Sequence, residues 1–434
     1  MNTQTMGKLQ GLGLAMLNRI AQSELTDRLH LRSSLEKWLY TGSRQGFRLA
    51  TASSRLFKPS GTVAKVRLPA GTGTTLFDLS LSDEQQMVVD NLARFAREVL
   101  RPAAHDADAA HALPAELQQQ AHELGLLYYA IPEAFGGMAS EQQLTTQMLA
   151  LETLATGDLG LTVGLCTTLS VANLLTRYGS AEQQNAYLPA LLEDTPAQAT
   201  LAVLEGHPGF DPLRPATLAQ RQGDQWRLNG EKTLVALGEQ AELFVVAAMA
   251  DGQPALFLLE SSTPGLSLQA DPGMGLKAAQ TVRLRLDNVQ IPASQQLMVD
   301  YREFLDLSGL AACALAVGTA QAVLDYVTVY VNEREAFGEP ISHRQAVAFM
   351  VADMATELEA MRLMTWRACA RAEHGQSFHR EAHLARLFCA EKAMKIGTDG
   401  VQLLGGHGYT KEHPVERWYR DLRAVALMTG LLSL

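Results

Sequence analysis

The sequence predicts a mainly helical α+β protein: an N-terminal helical domain, a middle β domain and a C-terminal four-helix bundle. Three observations predict this class. Apolar residues recur at helical spacing in the first part, strand-like alternation follows, and long helical segments rich in small residues come last. We place the boundaries at 1–76 for a basic N-terminal extension, then 77–198, 199–302 and 303–434. A length of 434 residues is typical of two or three domains. Because 47% of the residues are apolar, the chain can form a large core, which excludes wholesale disorder.

The first helical domain opens with a helix-start signal. Ser82-Asp-Glu-Gln85 matches the capping box, in which the serine and glutamine side chains satisfy the first backbone N–H groups. An apolar stripe at helical spacing then predicts an amphipathic helix, and it consists of Val88, Leu92, Phe95 and Val99. Because proline lacks an amide hydrogen, we expect Pro102 to end this helix.

The middle domain shows turn and strand signals. Asn229-Gly230 stands between two runs of alternating apolar residues, a pattern typical of a two-residue hairpin turn. Further on, Val282, Leu284 and Leu286 alternate with polar residues, which predicts a strand with one buried face. The sequence therefore predicts a β domain inserted between helical ones.

Helical patterns return after residue 302. The segments Asp306–Tyr330, Ala346–Glu373 and Glu381–Leu404 are rich in small residues, with a break near Gly375. Small residues at helix contacts permit close approach, so these segments are predicted to pack as a bundle. The longest nearly apolar run, Gly309–Leu324, has 16 residues, fewer than the roughly 20 that span a bilayer.

The four cysteines offer no metal-binding or disulfide pattern. They lie far apart in apolar, helix-like stretches, with no CxxC or Cys/His cluster, at Cys166, Cys313, Cys369 and Cys389. Buried thiols in a reducing compartment are typical of this pattern, so we expect no metal site and a cytoplasmic location.

Charge is unevenly distributed along the chain. The formal net charge is −10, which argues against nucleic-acid binding. Residues 1–68 hold 11 Lys/Arg and 3 Asp/Glu, a balance of +8, so the remainder carries −18. Within this arm, a helix around Leu35 and Trp38 with Arg32 would suit peripheral contact with an anionic membrane. Packing of the arm on its own body is the alternative.

Five local motifs stand in one order along the chain. They are Ile131-Pro-Glu-Ala-Phe-Gly-Gly137, Leu228-Asn-Gly-Glu-Lys232, Leu286-Asp-Asn-Val-Gln-Ile-Pro292, Arg334-Glu-Ala-Phe-Gly-Glu-Pro-Ile341, and Gln402-Leu-Leu-Gly-Gly-His-Gly-Tyr-Thr410 through Pro414–Asp421. With this set, residues 77–434 resemble the acyl-CoA dehydrogenase family. The resemblance implies an FAD-dependent enzyme that oxidises an acyl-CoA or related thioester, with a glutamate base and an electron-transfer flavoprotein as electron acceptor. It also implies a homo- or hetero-oligomer of homologous subunits, because the adenosine end of the flavin reaches a neighbouring subunit.

One half of the family's FAD site, the half that a subunit gives to its neighbour, is matched here. The matching residues are Arg334, Phe337, Gln345, Gln402, Gly405 and Gly406. Arginine offers a donor fork for phosphate, and glycines let the backbone approach a cofactor closely. The alternative is structural: Arg334 would form an ion pair, and the glycines would cap a helix.

The other half, which a subunit keeps for its own flavin, is altered. The family's Thr-Glu-x-x-Ala-Gly-Ser-Asp stands here as Leu204-Glu-Gly-His-Pro-Gly-Phe-Asp211, so Leu204 and Phe210 replace a threonine and a serine. A second threonine, which the family directs at the reactive end of the flavin, corresponds to Ala236. Each missing hydrogen bond would cost roughly 1–3 kcal/mol at a buried flavin atom.

The family's base is also missing. Counting from the Arg-Asp pair at 420–421, the glutamate position is Thr429, and the alternative position on the long helix is Ser308. The CoA-binding arginine of that helix corresponds to Gly309. A hydroxyl is a poor substitute for a carboxylate base, so we assign no catalytic residue. The nearby Glu416 is expected to pair with an arginine.

These losses fall on one side of the site and suggest a hypothesis. The chain would be a subunit without its own base that completes the FAD site of a catalytic, homologous partner. Three alternatives stay open: an autonomous acyl-CoA dehydrogenase with a displaced base, a flavin monooxygenase-like enzyme, and a non-catalytic scaffold acting through the basic extension.

Overall fold

The computed structural model describes residues 80–139, 143–193 and 195–434. The basic extension and its expected helix therefore lie outside the described residues. The first region is helical, with a π-helical turn at Ala96–Leu100 and 3₁₀ turns at Glu133–Phe135 and Pro189–Leu192. Its α-helices are α1 Asp83–Phe95, α2 Arg101–Ala110, α3 Ala115–Glu123, α4 Leu126–Ala130, α5 Leu144–Ala155, α6 Leu159–Leu165, α7 Thr167–Tyr178 and α8 Ala181–Tyr187.

Helices α1 and α2 are joined directly by the π-helical turn. The predicted capping box is confirmed: Ser82 Oγ accepts from the N–H of Gln85, and Gln85 Oε1 accepts from the N–H of Ser82, both at 3.1 Å. The prediction that Pro102 ends this helix is wrong. The N–H of Arg101 donates to the carbonyl of Ala96, five residues back, and this wider turn gives the proline ring room at the start of α2.

The middle region forms a single sheet. Its strands are β1 Ala199–Ala202, β2 Leu218–Gln222, β3 Gln225–Val235, β4 Leu243–Ala250, β5 Gln253–Glu260, β6 Leu266–Ala270, β7 Val282–Pro292 and β8 Gln296–Leu297. The strand order is β6-β7-β3-β2-β4-β5-β8, and β1 pairs with β4 in parallel. Two 3₁₀ turns, Lys277–Ala279 and Ala293–Gln295, interrupt the later connections.

The hairpin predicted at Asn229-Gly230 is wrong. Both residues lie inside β3, and the two-residue turn falls earlier, at Gly223-Asp224 between β2 and β3. Gly230 sits at a register shift between β3 and β7. A Cβ there would lie 2.5 Å from Thr217 Oγ1, so this glycine serves a close strand contact and not a turn.

Both faces of β4 and β5 are buried, whereas β2 and β6 are mostly exposed. Along β4, Leu243 and Val245 join a core with helix α7, whereas Phe244 and Val246 join a second core that contains Trp226. This alternation follows from the two-residue period of a strand. The strand predicted from the alternation at 282–286 is confirmed as β7, with its apolar residues buried.

The last region is again helical. Its elements are α9 Tyr301–Glu333, the short strands β9 Glu335–Ala336 and β10 Glu339–Pro340, a 3₁₀ turn Ile341–His343, α10 Gln345–Glu373, α11 His379–Leu404, a 3₁₀ turn Gly405–Tyr409, α12 Val415–Leu422 and a 3₁₀ turn Arg423–Leu427. Three long helices and the short α12 thus form the predicted bundle. Helix α9 is long and apolar enough to cross a bilayer, but 89% of its apolar window is buried inside the protein. It is the core helix of this region.

Candidate functional site

A cavity of about 950 Å³ lies where the β region meets the C-terminal helices. On one side is the loop 204–213 that follows β1. On the other side are residues of α9 and α11, and the segment 426–429 closes one end. We call this space the main cavity. It is lined by Leu204 and Phe210, two of the positions at which the sequence analysis expected lost hydroxyl groups.

A buried ion pair anchors the loop of the main cavity. Lys232 of β3 is fully buried, and its Nζ donates to Glu205 Oε1 at 2.7 Å and to the carbonyl of Val203 at 3.2 Å. Burial lowers the pKa of Lys232 to about 8, although Glu205 opposes this shift. Glu205 also accepts from the N–H and hydroxyl of Thr217, and these bonds together with Lys232 outweigh burial and lower its pKa. Both groups are therefore committed to holding the loop.

The three altered flavin positions differ in their surroundings. Leu204 and Phe210 line the main cavity with apolar surface. Ala236 is fully buried in the helical core, and its carbonyl accepts from the hydroxyl of Thr200 at 2.7 Å. Hydroxyl donors are absent at all three positions.

The two positions expected for a base lie close together. Ser308 Oγ accepts from the N–H of Gly430 and donates to the carbonyl of Leu432, so this hydroxyl is used by the backbone. Thr429 lines the main cavity, and its Oγ1 is buried without a hydrogen-bond partner among the described residues. Hydroxyl side chains thus stand at both positions where the sequence analysis expected the base.

The segment that follows Thr429 fills the interior beside these positions. Leu431, Leu432 and Leu434 belong to the helical core, and the N–H of Ser433 donates to the hydroxyl of Ser170 on α7 at 3.0 Å. Gly430 has φ +92°, and a Cβ on it would lie 2.7 Å from the side chain of Val203. Apolar side chains and backbone of this chain therefore occupy the space next to β1.

A second concavity, of about 440 Å³, lies at the other end of the bundle. Four of the six sequence-predicted residues line it, namely Arg334, Gln402, Gly405 and Gly406. The remaining two, Phe337 and Gln345, do not line it. Phe337 is 96% exposed in the turn between β9 and β10, and Gln345 is exposed at the first position of α10. We call these six residues the half-site.

The half-site residues had a structural alternative, in which Arg334 forms an ion pair and the glycines cap a helix. The guanidinium of Arg334 has no ion pair or hydrogen bond with any residue that the structure describes. Gly405 ends α11 with φ +58°, so the helix-cap explanation holds for it. Gly406 has a negative φ, and a Cβ on it would meet open space, so packing does not require a glycine there. Next to them, His407 Nδ1 lies 2.9 Å from the hydroxyl of Tyr330.

The Arg-Asp pair before the base position has a structural role. Arg420 binds both carboxylate oxygens of Asp108 at 2.8 and 2.9 Å, and its Nε donates to Glu416 at 2.8 Å, which confirms the pairing expected for Glu416. Asp421 is buried and accepts from the N–H of Leu276 at 2.7 Å. Burial, with the nearby charge of Asp158, raises the pKa of Asp421 to about 8. This pair ties α12 to the other two regions.

Sequence reasoning missed the polar wall of the main cavity. Arg386 of α11 lines it, as do Arg302 and Asp306 of α9 and His379 at the start of α11. His379 Nδ1 lies 2.7 Å from Asp306 Oδ2, and its Nε2 lies 3.0 Å from Arg302 Nη1. A signal for Arg386 did exist, because it follows the buried Ala382 by four positions, a spacing that puts both residues on one face of a helix.

Comparison with known proteins places this chain and its fold in one family. Residues 82–195, 200–289 and 300–431 match the models described as the acyl-CoA dehydrogenase N-terminal, middle and C-terminal domains. The chain belongs to the acyl-CoA dehydrogenase family, whose members are FAD-binding flavoproteins. The family resemblance and the fold class predicted from sequence are confirmed.

Individual relatives agree with this assignment. The probable acyl-CoA dehydrogenase YngJ of Bacillus subtilis is 32% identical over 81% of this chain and 96% of its own length. The structure of butyryl-CoA dehydrogenase from Megasphaera elsdenii covers 82% of this chain and 96% of its own, with TM-score 0.74 and 30% identity. A glutaryl-CoA dehydrogenase from Mycobacterium smegmatis in complex with FADH2 covers 81% and 92%, with TM-score 0.73 and 27% identity.

The residues present fit FAD at one half-site and not at the other. In the second concavity, an unpaired arginine and an open glycine turn suit a phosphate-bearing cofactor. Beside β1, apolar side chains replace the donors, and residues 430–434 occupy the interior. A flavin held only by this chain would therefore leave polar atoms without partners.

Proposed function

We propose that this chain takes part in the FAD-dependent α,β-dehydrogenation of an acyl-CoA thioester as a subunit that lacks its own base. It completes the FAD site of a catalytic, homologous partner through the half-site. One observation supports this proposal above all: the unpaired Arg334 and the open glycine turn share one concavity, while the positions for a base and for flavin donors carry Thr429, Leu204 and Ala236.

Four of the six half-site residues have a task in this proposal. Bound FAD supplies the two-electron acceptor for the dehydrogenation. Arg334 contributes a guanidinium fork to phosphate oxygens of the partner's cofactor. Gly405 and Gly406 leave the backbone accessible at the end of α11. The exposed ring of Phe337 offers an apolar face on the same surface, and Arg344 lies 5.8 Å from its centroid.

The main cavity contributes no base of its own in this proposal. Its carboxylates form ion pairs or accept hydrogen bonds. Glu205 pairs with Lys232, and Asp306 contacts His379. Asp211 accepts from the N–H of Leu213 at 3.0 Å. Asp271 accepts from Arg283 at 3.2 Å and from the N–H of Leu234 at 3.2 Å. None of these groups is available without breaking a contact that holds the cavity wall. Electrons would leave through the partner's flavin to an electron-transfer flavoprotein.

The absorbance spectrum of the purified chain is the first experiment. We expect no flavin band for the chain alone, and a flavin band after co-expression with a catalytic homologue whose base glutamate is intact. Arg334→Gln in this chain should lower the FAD content and turnover of the complex. Arg367→Gln, an exposed arginine on α10, is the matched control and should change neither.

Two results would contradict the proposal. One is about one FAD per chain and full turnover by this protein alone, which would favour an autonomous dehydrogenase with a displaced base. The other is a complex whose FAD content and activity do not respond to Arg334→Gln.

A further inference from the structure

A pair of histidines lies beside the half-site, and the proposed function gives neither of them a role. His407 belongs to the 3₁₀ turn after α11 and lines the second concavity, as Arg334 does. His413 follows in the chain, and the centroids of the two imidazole rings are 5.6 Å apart, with 32° between their planes. Because an imidazole changes its charge near neutral pH, this position bears on how the concavity binds anions.

Two tyrosines of α9 hold the imidazole rings. The hydroxyl of Tyr330 lies 2.9 Å from Nδ1 of His407, and the hydroxyl of Tyr326 lies 2.6 Å from Nδ1 of His413. The N–H of Arg334 donates to the carbonyl of Tyr330 at 2.8 Å. Tyr330 therefore connects His407 to the backbone of the half-site arginine.

The second ring nitrogen of His407 is available to a ligand. Its Nε2 has no hydrogen bond or ion pair with any residue in the described part of the chain. When the hydroxyl of Tyr330 donates to Nδ1, the neutral ring carries its hydrogen on Nε2, and in the protonated ring both nitrogens donate. Protonation thus adds a positive charge while Nε2 stays a donor, because the hydroxyl of Tyr330 can accept from Nδ1 instead.

The charged and titratable groups around His407 favour a neutral ring as long as no anion is bound. They are Arg334, Tyr326 and Tyr330 from α9, His413 with the exposed Tyr409, Lys411 and Glu412 from the segment around it, Glu416 from α12, and His343 from the turn before α10. Glu416 is already paired with Arg420, and His343 contacts Glu339. Positive charge on Arg334 or His413 opposes a proton on His407, and phosphate oxygens in the concavity reverse this balance.

We propose that His407 is a second anion donor of the half-site and takes up a proton when phosphate oxygens bind there. The inference rests on the proposed function, in which these phosphates belong to the partner's FAD. Arg334 provides the permanent charge and His407 the charge that depends on pH. Since one proton taken up on binding changes the affinity by up to about tenfold per pH unit, the affinity for a diphosphate should fall as pH rises.

Calorimetry of the full chain with ADP-ribose tests this proposal. ADP-ribose is a diphosphate diester, so its own charge stays constant between pH 6 and pH 8. We expect wild type to bind it about tenfold more tightly at pH 6 than at pH 8, with a binding heat that depends on the buffer as proton uptake requires. His407→Gln should bind weakly at both pH values. His407→Lys, which keeps its charge, should bind equally at both and more tightly than His407→Gln.

Two further variants assign the proton. His374→Gln, at an exposed position at the opposite end of α10, is the matched control and should behave like wild type. His413→Phe removes the other imidazole and should retain the proton uptake. Loss of proton uptake in His413→Phe, together with its retention in His407→Gln, would overturn the assignment to His407.

Two results with wild type would also overturn the proposal. One is an equal affinity for ADP-ribose at pH 6 and pH 8, and the other is no binding at millimolar concentration. Neither result decides the proposed function, because that depends on how the FAD content of the complex responds to Arg334→Gln. The two proposals can therefore fail separately.

Discussion

Ser308 on α9 is hydrogen-bonded to Gly430, the residue next to the family's base position, across 122 positions of sequence. The two places at which a base was sought are therefore adjacent in space. At one of them the hydroxyl is fully used by backbone groups, and at the other the hydroxyl of Thr429 has no partner in the described residues. Ser308 is therefore a structural residue. Substitutions at Ser308 and at Thr429 should have different effects on stability.

Ser308→Ala should destabilise the protein by about 1–3 kcal/mol. It leaves the N–H of Gly430 and the carbonyl of Leu432 buried without a partner. Urea unfolding measures the change, and Ser261→Ala, at an exposed turn, is the control expected to match wild type. A stability equal to that of the control would show that the contact contributes nothing.

Thr429→Val should leave the free energy of unfolding unchanged or raise it by up to about 1 kcal/mol. The substitution keeps the shape of the side chain and removes a buried hydroxyl that has no partner. The same urea titration checks this prediction. A loss as large as that of Ser308→Ala would mean that the hydroxyl of Thr429 is hydrogen-bonded after all.

Lys232→Met should cost about 3–5 kcal/mol, because it leaves Glu205 buried without its cation. Adding Glu205→Gln should restore part of this loss, since the amide can still accept from Thr217. Thermal unfolding of the single and double variants measures both effects. Strictly additive losses in the double variant would contradict a coupled pair.

Asp421 should make the protein less stable as pH rises from about 4 to 8. Its pKa is about 8 in the folded state and near 3.8 when unfolded, so in this range only the folded state retains the proton. Asp421→Asn removes this titrating carboxyl group. The free energy of unfolding of the variant, relative to that of wild type, should therefore increase by at most about 1.4 kcal/mol per pH unit and level off above pH 8.

Urea titrations at several pH values between 5 and 9 measure this difference. Asp353→Asn, at an exposed position on α10, is the control and should follow the wild-type profile. Parallel profiles of wild type and Asp421→Asn would show that the carboxyl group of Asp421 is ionised in the folded protein throughout this range.

Local patterns predicted most elements of the fold. The capping box at Ser82, the long helices and the strand at 282–286 depend on neighbours within a few residues, and all three are present in the structure. The two wrong predictions, a helix end at Pro102 and a hairpin turn at Gly230, have the same cause. Pro102 is accommodated by a π-helical turn, and Gly230 is needed for contact with Thr217, the residue before the paired strand β2. Neither requirement can be read from the adjacent residues.

The sequence alone determined the family, the order of helical and β regions, and the identity of the residues at the altered positions, because motifs and side-chain chemistry are local properties. Only the tertiary structure decided which groups meet. It joined Ser308 to Gly430, brought Arg386 over Gly309 and gathered Arg334 with the turn at Gly406. Such contacts depend on how distant helices and strands pack, and packing is decided by shape and burial over the whole chain.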